Sequence, residues 1–93
     1  MPEQASCEKD FSIDNELGLH LRAAGKLAQT AGQFECEVWI TKDGVEVNGK
    51  SIMGVLSLAA ARGSKVHVRT TGKDADKAMA GLGALIQAKF HED

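Results

Sequence analysis

Between Phe34 and Thr41 apolar and polar side chains alternate without a break. Phe34, Cys36, Val38 and Ile40 fall on one face, and Glu35, Glu37, Trp39 and Thr41 on the other. That is the period of a β-strand with a single buried face. Lys42-Asp43-Gly44 follows, and Asp-Gly suits a tight turn into a second arm that Val45 and Val47 continue. Two more stretches alternate less cleanly. Cys7 to Ile13 sets Phe11 and Ile13 against Asp10 and Ser12, and Lys65 to Thr71 sets Val66 and Val68 against His67 and Arg69. A sheet of such strands excludes water from one side only, so the helices must all lie on that side. Trp39 then belongs to an open, solvent-facing surface, and His67 is a surface strand residue.

Between the strands the period lengthens. Arg22 to Ala31 reads as a helix, with Ala24, Leu27, Ala28 and Ala31 on one stripe and Gly32 as its stop. Gly25 inside it is a weak helix former. Asn48-Gly49-Lys50 turns the chain into a second helix, with Ser51 as N-cap, an apolar run from Ile52 to Ala61, and Gly63 at the end. Asp74 to Phe90 gives a third, with Ala78, Leu82, Leu85 and Ile86 at core spacing. The order β-α-β-β-α-β-α predicts an α+β open-faced sandwich. It forms one domain over residues 1–93, with 1–6 as a loose polar tail.

Several function classes are excluded at this stage. The chain has 93 residues and a formal net charge of −2, so it has no general attraction for nucleic acid or acidic membranes. One Trp and three Phe give no series on which bases could stack. No stretch has the length and hydropathy of a membrane span, and the start M-P-E-Q-A-S-C-E-K-D has no apolar signal-peptide core. Cys7 and Cys36 lack metal-ligand spacing and are read as reduced thiols of a cytoplasmic protein. His20, His67 and His91 are too scattered in sequence to argue for a zinc site.

The stretch L-G-L-H-L-R-A-A-G-K-L-A-Q-T-A, Leu17 to Ala31, carries the chemistry. It sets a glycine-containing loop against the first turn of a helix, with His20 at the junction and Arg22 two residues on. The first N–H groups of a helix lack intrahelical partners and carry partial positive charge, which makes the spot a natural anion site. An imidazole there can act as a nucleophile whose anionic adduct is held by those N–H groups and by the guanidinium. Taken alone, each residue is equally a solvated surface group.

G-L-H-L-R-A-A, followed by N-G-K-S-I-M-G-V-L-S-L and A-R-G, resembles HPr, the histidine phosphocarrier family of the sugar phosphotransferase system. The similarity runs from about Phe11 to Phe90. It implies a four-stranded antiparallel sheet covered by three helices. It also implies a phosphoryl group accepted by His20 from enzyme I and passed to IIA domains of sugar permeases. On this resemblance Arg22 stabilises the phosphoryl group, and Ser51 matches a serine modified by an HPr serine kinase/phosphorylase in some bacteria. Ile52 and Met53 match docking positions and, with Leu17 and Leu21, form a patch for successive partners unless the core buries them. The carrier is expected to be a cytoplasmic monomer, not an enzyme by itself, and the resemblance implies that it needs no metal and no cofactor. The family pattern A-R-P is here Leu21-Arg22-Ala23, which keeps His20 and Arg22 but gives up a helix-starting proline. That departure leaves a mainly regulatory phosphorelay as the alternative.

Overall fold

The computed structural model describes residues 5–92. Four strands, β1 (Ser6–Ser12), β2 (Glu37–Lys42), β3 (Val45–Asn48) and β4 (Lys65–Thr71), form one sheet in the order β1-β4-β2-β3. Every neighbouring pair is antiparallel. Three helices, α1 (Leu21–Ala31), α2 (Ile52–Ser57) and α3 (Ala75–Gln87), complete the β-α-β-β-α-β-α order. The open-faced sandwich read from the sequence is therefore the fold. Met1 to Gln4 of the expected tail lie outside the described residues, whereas Ser6 already belongs to β1 and pairs with Thr71.

The registers explain the single core. Phe11 lies opposite Val66, and Ile40 lies opposite both Val68 and Val47, so the apolar faces of successive strands coincide. A slip of one residue would turn each set to water. Phe11, Val38, Ile40, Val66 and Val68 are buried beneath Leu27, Val55, Leu82 and Ile86 of the helices. Burying one such side chain contributes roughly 1.5–3 kcal/mol. α3 packs on β1 and β4, and α1 packs between α2 and α3. The hairpin turn is as Asp-Gly requires, with φ of 51° at Asp43 and 82° at Gly44. Gly25 has nothing within 4 Å of where a Cβ would sit, so no close approach explains it.

Three element boundaries differ from the alternation and periodicity. The strand expected from Phe34 begins at Glu37, because Cys36 N–H donates to the Phe34 carbonyl and Glu35 N–H to Asp74 Oδ2, which bends the chain. The second helix ends at Ser57 instead of Ala61. Ala59 adopts φ of 51°, reversing the chain so that Ala60 is buried beside residue 19. The third stops at Gln87, and Phe90 follows it in a separate turn.

On the uncovered face His67 bridges two carboxylates of the adjacent edge strand. Its ring nitrogens stand 2.7 Å from Asp10 Oδ1 and 2.8 Å from Glu8 Oε1. The hydrogen bond with Asp10, then that with Glu8, raises the imidazole pKa from its ordinary 6.5. A group whose folded pKa is raised adds stability that is complete below 6.5 and is lost as pH rises through the raised value. The melting temperature should therefore fall between about pH 5.5 and 8.5 by more in the native chain than in His67→Gln. Exposure keeps the difference small. Identical profiles by circular dichroism would show that the bridge contributes nothing.

Candidate functional site

Residues 13–20 run from the end of β1 to the start of α1, tied at several points to the segment between α2 and β4. Ile13 N–H donates to the Ser64 carbonyl at 2.8 Å, Gly63 N–H to the Ile13 carbonyl at 2.7 Å, and Leu19 N–H to the Ala60 carbonyl at 2.8 Å. Leu19 is buried in the core. Gly18 has φ of 67°, and a Cβ on it would run into the Ala60 carbonyl oxygen and the Ala61 backbone. Only glycine satisfies both the dihedral and the approach.

So held, His20 becomes the N-cap of α1, with φ of −75° and ψ of −179°. Its carbonyl accepts from Ala24 N–H at 2.8 Å, and its Nδ1 accepts a long hydrogen bond, 3.4 Å, from Arg22 N–H. The imidazole thus replaces the usual Ser, Thr, Asp or Asn cap. No acidic residue lies in the first turn of α1 to compete with an anion for the helix terminus. Arg22 is exposed and forms no ion pair among the described residues.

The other side of the ring is closed from the far end of the chain. His20 Nε2 lies 2.7 Å from Glu92 Oε2, and Glu92 Oε1 accepts from Asn15 Nδ2 at 2.9 Å. Asn15 is itself buried and donates a second bond, 2.7 Å, to the Gly18 carbonyl. Burial alone would push the Glu92 carboxyl up, but hydrogen bonds from Asn15 and His20 and the nearby positive charge outweigh it and hold it below the usual carboxylate range. Ionised, Glu92 can only accept, so Nε2 must carry the ring proton. Arg22 N–H can only donate, so Nδ1 must present its lone pair. Both partners select the same tautomer.

What brings Glu92 there is a turn of three consecutive left-handed residues, Lys89, Phe90 and His91, with φ of 55°, 57° and 58°. Left-handed backbone costs about 1–2 kcal/mol per non-glycine residue. Complete burial of the Phe90 ring and the bond from Lys26 Nζ to the Phe90 carbonyl at 2.6 Å offset that cost. His91 and Glu92 then join Glu16, Leu17, His20 and Arg22 around one surface cleft.

Leu17, which lines this cleft, and Leu21, Ile52 and Met53 are 69%, 65%, 43% and 73% exposed, so none belongs to the core. Ser51 caps α2, its Oγ accepting from Gly54 N–H at 3.0 Å. Sequence reasoning missed Asn15, Glu92 and the approach of His91. Their only signal was an aromatic residue, Phe90, just before a polar chain end.

Residues 7–88 match the family model described as "PTS HPr component phosphorylation site". The chain belongs to the HPr family. It is 49% identical over 85 residues to phosphocarrier protein HPr of Neisseria meningitidis, covering 91% of this chain and 96% of that one. Against HPr of Xylella fastidiosa the identity is 44%, with 92% and 97% covered. Among solved structures, HPr from Thermoanaerobacter tengcongensis superposes with a TM-score of 0.90 at 40% identity, covering 94% of this chain and 98% of that one. The chain is accordingly a phosphocarrier of the phosphotransferase system. No helix among the described residues is long and apolar enough to cross a membrane. The turn that carries Glu92 lies beyond residues 7–88, the segment that the family model matches.

The geometry gives Gly18 a specific role in placing the histidine. Gly18→Ala should lower the melting temperature by several degrees, corresponding to about 1–3 kcal/mol from the strained dihedral and the backbone clash. It should also shift the His20 ring resonances. A melt and ring spectrum equal to those of the native chain would show that the loop yields without cost.

Proposed function

We propose that His20 accepts a phosphoryl group on Nδ1 from enzyme I and passes it to IIA domains of sugar permeases. In this reading the chain works in the cytoplasm as a monomeric, phosphorylated intermediate and is not an enzyme by itself. The observation that carries it is the placing of His20, with Nδ1 facing the Arg22 N–H at the N-terminus of α1 and Nε2 against Glu92, which together favour a lone pair on Nδ1. A phosphoryl group on Nδ1 would meet partial positive charge from the helix start and a guanidinium able to bond two of its oxygens. That help is electrostatic and moderate, as a carrier requires, because the adduct must survive diffusion and still be given up.

The exposed Leu17, Leu21, Ile52 and Met53 provide the surface for successive partners, and methionine adapts to more than one partner shape. Ser51, at the edge of that surface, is the regulatory position. A phosphate there would add roughly −1.5 to −2 charge next to Ile52 and Met53 and so oppose docking, under control of an HPr serine kinase/phosphorylase.

Incubation with enzyme I and phosphoenolpyruvate should add one acid-labile phosphoryl group by intact mass, and His20→Ala should abolish it while the protein stays folded, its melt lowered only by the lost helix cap. Labelling that survives in His20→Ala would refute the acceptor. Arg22→Ala should slow transfer about a hundredfold, because one charge-assisted donor is lost where negative charge develops. Arg22→Lys should restore transfer only partly, since a point charge lacks the planar fork. Equal rates in native protein and Arg22→Ala would exclude that role.

Docking is tested separately. Met53→Glu and Ile52→Glu should each weaken binding to enzyme I at least tenfold by calorimetry, because an unpaired carboxylate would be buried in a small interface. Their melts should stay near that of the native chain. Unaltered affinity in both would place the contact surface elsewhere.

A further inference from the structure

We infer that Glu92 decides which imidazole nitrogen of His20 takes the phosphoryl group, by occupying Nε2 and leaving Nδ1 as the only nucleophile. The inference rests on His20 being the acceptor, as proposed above, and concerns a residue beyond residues 7–88, which the family model matches.

A neutral histidine has one lone-pair nitrogen, and solvent lets the proton sit on either. On a surface imidazole with no partners, both nitrogens would therefore compete for an electrophile. Here the Nε2 edge faces a carboxylate at 2.7 Å whose side chain is only 12% exposed, against 28% for the histidine. Glu92 acts at that edge in three ways. It holds the proton on Nε2, it fills the space an incoming phosphorus atom would need, and it repels an anionic donor from that side.

The carboxylate is itself fixed. Asn15 Nδ2 holds the second oxygen, and the Asn15 side chain is buried against the 15–18 loop. The Phe90 anchor and the Lys26 bond to the Phe90 carbonyl hold the left-handed turn from behind. Glu92 is thus a positioning residue. In the transfer step the Nδ1–P bond forms as the bond from phosphorus to the donor's leaving group breaks, and Nε2 keeps its proton, shared with Glu92. Return transfer reverses these changes without any proton having crossed the ring.

The test uses the full chain and a small phosphoryl donor, potassium phosphoramidate, which requires no partner protein and releases ammonia as its P–N bond breaks. Phosphohistidine isomers are assigned by correlation of ring protons with 15N. In the native chain all product on His20 should be Nδ1-phosphohistidine. Glu92→Ala should yield a mixture in which the Nε2 isomer reaches a third or more, and phosphorylation at Nδ1 should slow several-fold. Glu92→Gln still offers an oxygen to Nε2–H but lacks the charge, so it should fall between the two. Asp43→Asn, which removes one negative charge from the distant hairpin, should behave as the native chain.

Nε2-phosphohistidine in the native protein would overturn the inference. So would exclusive Nδ1 product at unchanged rate in both Glu92 variants. If His20 takes no label at all, the acceptor reading fails, and the ring spectrum of the unmodified protein still decides this one. Protection of the Nε2 proton from exchange in the native chain, lost in Glu92→Ala, supports the inference, and equal exchange in the two refutes it.

Discussion

One backbone hydrogen bond, from Leu19 N–H to the Ala60 carbonyl, joins the two irregular segments of the fold at the place where chemistry is concentrated. The Ile13–Ser64 and Gly63–Ile13 bonds hold the segments at their outer end, and this one holds them beside His20. Joined, they bury Leu19 and Ala60 together and leave room only for a glycine at residue 18. The histidine that follows inherits a defined backbone and becomes the cap of α1. The same union explains why α2 has only six residues, because the chain must leave the helix early to reach residue 19.

Much of the fold could be read from the chain because its determinants are local. Alternation in Phe34 to Thr41, the Asp-Gly turn and the stripe on Arg22 to Ala31 each specify structure within a few residues. Their single apolar faces permit only one layer arrangement. The ends of elements were less legible. Ala59 reverses the chain because of a contact with a loop forty residues earlier, and alanine gives no sign of a left-handed position. His20 and Arg22 stood out because a helix start and a guanidinium are neighbours in sequence. Glu92 did not, since 72 residues separate it from the ring it touches. The burial of Phe90 that delivers it opposes the ordinary backbone preference of three residues.

A phosphocarrier has to be reactive without being an enzyme. In this protein the His20 ring, the proposed acceptor, is supported from both sides and covered on neither. The backbone N–H of Arg22 stands on the Nδ1 side and a carboxylate on the other, and the Arg22 side chain joins them around one open cleft. Support of this kind orients the imidazole without burying it, so a partner can reach the same atom on arrival and on departure. On the reading proposed above, Leu17, Leu21, Ile52 and Met53 are left exposed for the same reason. Surface that must meet more than one partner cannot be committed to the core.

The uncovered face of the sheet gives the molecule a built-in optical reference. Its single indole, Trp39, is half-buried there, with Nε1 donating to Glu37 Oε1 at 3.2 Å, on the side the helices do not cover. Fluorescence from this chain therefore reports whether β2 remains paired with β3 and β4. The helix that His20 caps lies on the other side of the sheet, so on the proposed reading a partner seated over His20 docks away from the indole. Folding and docking can then be followed in one sample by separate signals, with the partner's own fluorophores or a label near the cleft reporting the second.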